Sequence, residues 1–108
     1  MIENIFQTIL DHFREGQPIQ LMRSNKNYHY IGVSTTQINH IQYQSVTYKI
    51  SEKNSKRVTK DLIEAVYKYY LQDGNYPDIN WYKENFLNEI KSRPCNKSVC
   101  QGLINQVL

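Results

Sequence analysis

Apolar residues recur at three- and four-residue spacing from the start of the chain. Ile2, Ile5, Phe6, Ile9, Leu10 and Phe13 fall on one stripe of a helix predicted over residues 2–14. Gly16 and Pro18 then supply an exit and a barrier to continuation, so the helix should stop near residue 15. The period changes to two. Residues 19–23 and 28–33 read as strands joined through Ser24, Asn25, Lys26 and Asn27, whose side chains suit a turn. Alternation in the second strand sets His29, Ile31 and Val33 on one face and Tyr28, Tyr30 and Gly32 on the other. Bulky groups on both faces predict a central strand. Further strands are expected over residues 37–43 and 46–50, with Gln44 and Ser45 turning the chain between them, and the polar run SEKNSKR at 51–57 reads as a linker.

Helical periodicity returns at Thr59. Thr59 is placed as an N-cap, Asp61 falls in the first turn, and Leu62, Ala65, Val66, Tyr69 and Tyr70 form an apolar stripe that Gly74 terminates. A third helix is predicted over residues 81–91, capped by Asn80 or Asp78, with Trp81, Phe86, Leu87 and Ile90 facing inward. Pro94 interrupts that pattern, and Asn96 is expected to cap a fourth helix carrying Val99, Leu103, Ile104, Val107 and Leu108. Gly102 within it either weakens the helix by roughly 1 kcal/mol relative to alanine or lets another element approach closely. Segregation of strands from helices predicts an α+β fold: an N-terminal helix, a small antiparallel β-meander, then three helices in one compact domain of 108 residues.

Charge changes this picture at one place. Residues 1–48 balance at zero, 49–60 carry +4, 61–82 carry −3 and 83–97 carry +2 within a total of +3. Lys49, Lys53, Lys56, Arg57 and Lys60 therefore crowd the connection into the second helix, where they are placed to neutralise phosphates or simply to face water. The third helix, the bend at Ser92 to Cys95 and the final helix resemble a helix-turn-helix in outline. In that reading Lys97, Ser98, Gln101 and Asn105 face a groove, with Lys91 and Arg93 on phosphates. Two helices joined by a proline-bearing bend are equally ordinary packing. Nine tyrosines offer either a stacking surface for single strands or aromatic core mass.

Catalytic chemistry finds no signature. His12, His29 and His40 are far apart, Cys95 and Cys100 lack the Cys-x2-Cys knuckle of a zinc site, and the four glycines occur singly rather than in a phosphate-binding loop. Asp61 and Glu64 suit a helix start, while Glu84 and Glu89, five apart, point in different directions. Hence no catalytic residue, metal or cofactor is assigned. No positively charged leader precedes the first helix and no apolar run spans a bilayer, so a cytoplasmic protein without a membrane partner is expected.

The leading expectation is a non-catalytic, regulatory DNA- or RNA-associated module, contacting nucleic acid through Lys53, Lys56, Arg57, Arg93, Lys97 and Gln101. The alternative is a protein-interaction or homodimeric assembly module. Its motive is the aromatic group Tyr67, Tyr69, Tyr70, Trp81, Tyr82 and Phe86 beside an apolar carboxyl end, with dimerisation through the first or final helix.

Overall fold

The computed structural model describes all 108 residues. Helix α1 spans Ile5–His12 and is capped by Asn4, whose side chain accepts from the Gln7 amide. Its predicted stripe is buried at Ile5, Phe6 and Ile9, and Phe13 follows them inward. Four antiparallel strands come next in spatial order β1-β2-β3-β4: β1 (Pro18–Ile19), β2 (Tyr28–Ile38), β3 (Ile41–Lys49) and β4 (Ser55–Thr59). Helices α2 (Lys60–Asp73), α3 (Ile79–Asn85), α4 (Leu87–Ser92) and α5 (Asn96–Val107) complete the chain. The α+β arrangement of helix, antiparallel meander and helices is thus the one the periodicities predict, with more strand and one more helix than expected.

The differences have local causes. Asn39 and His40 both take positive φ, at 50° and 68°, and close a two-residue turn between Ile38 and Ile41. The expected strand over 37–43 is therefore the tip of a long hairpin, and Gln44 and Ser45 lie inside β3 rather than in a turn. The expected linker at 51–57 divides into a tight turn, where the Ile50 amide donates to the Asn54 carbonyl at 3.0 Å, and the first half of β4. Residues 19–23 contribute only Ile19 to the sheet. The third helix breaks at Phe86, whose φ of −138° leaves the helical region and separates α3 from α4.

Register decides which sheet face is buried. Tyr30 pairs with Tyr48 and Val46 with Val58, so these side chains project to one face beneath α2 and α5, with Phe13 at the end of α1 stacked on Tyr30. A bulge between Tyr30 and Gly32 shifts the alternation in β2. Tyr28 and Tyr30 are consequently buried, His29 is half-buried, and Val33, although it pairs with the fully buried Val46, lies beyond the helices and is 55% exposed.

Twenty-one buried side chains make one core. Its helical share comes chiefly from Leu62, Ile63, Val66 and Tyr67 of α2 and Val99, Cys100, Leu103 and Ile104 of α5, joined by Ile5, Phe6 and Ile9 of α1, Tyr82 of α3 and Ile90 of α4. Thr59 caps α2 by accepting from the Leu62 amide, and Gly74, at φ 85°, ends the helix in the left-handed conformation. Gly102 serves close approach: a Cβ there would stand 2.8 Å from the Gln20 carbonyl oxygen, so α5 lies directly against the chain leaving β1.

Candidate functional site

A buried polar cluster fixes where α4 and α5 meet the sheet. Glu89, 4% exposed, accepts from the Thr59 amide at 3.0 Å and from the Asn96 side-chain amide at 2.7 Å through Oε2, and from the Thr59 hydroxyl at 2.6 Å through Oε1. Asn96 donates in addition to the Arg57 carbonyl at 2.8 Å, and its side-chain oxygen accepts from the Tyr48 hydroxyl. The Tyr48 hydroxyl also lies 3.2 Å from the Cys95 sulfur. Arg57 and Thr59 belong to the edge strand β4, so two side chains satisfy backbone groups that a fifth strand would otherwise take. Asn96 is therefore a sheet-edge clasp and not the cap of α5, which has no side-chain cap. An acid three residues after Phe86, beside the inward-facing Ile90, was the one sequence sign of this role for Glu89.

The clasp holds α4 against the β2–β3 hairpin tip and leaves a groove between them of about 440 Å³. Ile38, Ile41 and Tyr43 form one wall; Phe86 and Leu87, at the break between α3 and α4, form the other. Ile41 and Leu87 are 56% and 53% exposed. Asp61 and Glu84 are exposed on its rim, and no lysine or arginine lines it. The groove is thus apolar at its walls and acidic in charge.

The predicted nucleic-acid contacts are distributed otherwise. Lys53 is exposed in the β3–β4 turn. Lys56 and Arg57 alternate on β4: Lys56 pairs with Tyr48 on the helix-covered face, and Arg57 pairs with Thr47 on the opposite face. Lys49 shares the Arg57 face and stands opposite His29. Arg93 reaches that same face, where its guanidinium donates to the Thr36 hydroxyl at 3.1 Å. Lys97 is half-buried in the first turn of α5, and the Gln101 amide donates to the Tyr82 hydroxyl at 2.8 Å instead of facing outward free. Arg57 and Arg93 are therefore brought to one sheet face, Lys56 is turned to the other, and Gln101 is engaged within the fold.

The remaining candidate chemistry disperses. Cys95 and Cys100 are free thiols; Cys100 is wholly buried, and that burial pushes its pKa well up, away from a reactive thiolate. His40 occupies the hairpin turn, and no three His, Cys, Asp or Glu side chains converge as metal ligands would. No helix is long and apolar enough to cross a membrane. Tyr28, Tyr30 and Tyr48 are buried in the core rather than spread as a stacking platform. The apolar stripes of α1 and α5, the expected dimer surfaces, are spent in the same core. Compared with family models, with curated proteins and with solved structures, the chain matches none.

Proposed function

We propose that this protein is a non-catalytic interaction module that docks a segment of a partner protein in the groove between the β2–β3 hairpin tip and the α3–α4 break. The observation that carries the reading is the coincidence of exposed Ile41 and Leu87 with Asp61 and Glu84 and with no basic side chain. Apolar walls reward burial of aliphatic anchors at about 25 cal/mol per Å², and the acidic rim favours flanking lysine or arginine. The partner segment is accordingly apolar with basic flanks. Fluorescence anisotropy tests this with two labelled peptides, one with lysines flanking leucine and phenylalanine, the other with glutamate in place of each lysine. The lysine peptide should bind, more weakly as salt rises, and Leu87→Asp should abolish binding without unfolding the protein. Equal binding of both peptides, or of neither, refutes the reading.

One observation favours a second reading, association with DNA or RNA: Lys49, Arg57 and His29 share an open sheet face beside the Lys53 turn. Phosphate neutralisation there predicts salt-dependent binding to random duplex that falls when Lys53 and Arg57 are both replaced by glutamine. Its absence at low salt ends this reading.

A further inference from the structure

The two edges of the sheet are treated in opposite ways. Strand β1 is so short that it pairs only with Tyr28 and His29, and Gly16 and Gln17 extend the contact just to Tyr30. From residue 32 to residue 38, β2 is the sheet's outer edge with no strand beside it.

The turn identifies the free backbone groups. In a two-residue hairpin the closing pair, here Ile38 with Ile41, exchanges both hydrogen bonds, and every second pair after it does the same. Thr36 with Tyr43 and Ser34 with Ser45 follow that rule, so Val33, Thr35 and Gln37 point their N–H and C=O groups outward. The same alternation carried across β3 sends the Arg57 C=O and Thr59 N–H outward from β4, and these are the groups held by Asn96 and Glu89. One edge is closed by buried side chains. The other is open.

The open edge also lacks the usual protections. Residues 32–38 read GVSTTQI, with no charge and no proline, and Val33, Thr35, Thr36 and Ile38 are β-branched. Val33, Thr35 and Gln37 are exposed. Such an edge is a template for strand addition.

We propose that the occupant is a second copy of this chain, paired antiparallel through β2 about a twofold axis at Thr35. The outward groups at 33, 35 and 37 are symmetric about that residue. Thr35 then faces the partner's Thr35, Val33 faces the partner's Gln37, and every outward N–H meets an outward C=O in one register. Charge permits the approach: residues 32–38 carry none of the chain's +3, the cation beside them, Arg93, is bonded to the Thr36 hydroxyl on the face away from the Thr35 side chain, and the basic β3–β4 hairpin lies at the far side of each sheet. The two meanders become one continuous sheet with β4 closed at both ends. This contact is separate from the peptide groove and stands or falls without it.

Sedimentation equilibrium of the full chain, from low micromolar to near-millimolar protein, tests the pairing with charge variants at an exposed position. The wild type should pass from monomer to dimer with rising concentration. Thr35→Lys and Thr35→Glu set like charges face to face at the axis and should each weaken association roughly tenfold. An equimolar mixture of the two should recover it as a mixed dimer, a rescue that no loss of fold imitates; circular dichroism confirms that each variant is folded. A wild-type monomer throughout, a dimer indifferent to both charges, or a mixture no better than either variant alone overturns the proposal. A monomer that accepts a foreign β-strand peptide on this edge likewise excludes the second copy as occupant.

Discussion

Removing the Glu89 carboxylate asks whether the sheet-edge clasp holds the fold together. Three donors converge on that group: the Thr59 amide, the Thr59 hydroxyl and the Asn96 side-chain amide. Glu89→Ala leaves all three without an acceptor. Thr59 and Asn96 are 1% and 0% exposed, so water does not replace what is lost. A buried donor left unpaired costs about 1–3 kcal/mol, and allowing for relaxation among neighbours the set amounts to about 3–5 kcal/mol. That is a large share of the roughly 5–15 kcal/mol typical of a domain. Glu89→Gln is the informative control. Its amide oxygen can occupy the Oε2 position and keep both N–H donors, while its NH2 donates to the remaining lone pair of the Thr59 hydroxyl, which already accepts from the Leu62 amide; only the hydroxyl proton loses its acceptor. The expected change is about 1–2 kcal/mol, well below that of the alanine variant. Urea denaturation followed by circular dichroism measures both. An alanine variant within about 1 kcal/mol of wild type, or a glutamine variant as damaged as the alanine one, refutes the assignment of the clasp as the fold's polar anchor.

Other consequences are equally direct. Gly102→Ala should cost about 1–2 kcal/mol despite the better helix former, because the new Cβ would press at 2.8 Å on the Gln20 carbonyl oxygen, a backbone atom; thermal denaturation reads the loss. Alkaline pH should unfold the protein: burial pushes Tyr76, whose hydroxyl has no partner, up to about 12, and burial drives Tyr48 and Tyr82 in the same direction. A folded pKa above the unfolded value of about 10 gives stability that is fully present below pH 10 and lost as pH rises toward 12, so absorbance of phenolate and loss of circular dichroism should rise together in that window. Leu87→Asp, at a side chain 53% exposed, should alter stability by less than about 0.5 kcal/mol while removing peptide binding. Equal loss of both would place Leu87 in the core.

The elements legible in the sequence were those whose own side chains carry the signal. The stripe of α1, the Thr59 cap and the Gly74 stop of α2 each rest on local periodicity or local hydrogen bonding, and each stands where the residues place it. The β2–β3 hairpin was hidden because His40 occupies the second turn position, where glycine would have announced positive φ at both residues. Strand β4 was hidden because Ser55, Lys56 and Arg57 are polar: its outer edge is satisfied by Glu89 and Asn96, more than 25 residues further on. A clasp made by residues from α4 and α5 leaves no periodic trace. The groove was illegible for the same reason, since Ile41 and Leu87 come to line opposite walls of one groove only after the chain has folded back. The basic residues were easily seen, but strand alternation, which sends Lys56 and Arg57 to opposite faces, was not.

The docking groove is tested most directly by backbone amide NMR of the full chain titrated separately with the lysine-flanked peptide and with a random DNA duplex. Peptide-induced shifts are expected at Ile38, Ile41, Tyr43, Phe86 and Leu87, diminishing with added salt. Shifts confined to Lys49, Lys53 and Arg57 on adding duplex, with the groove silent to peptide, would contradict that docking.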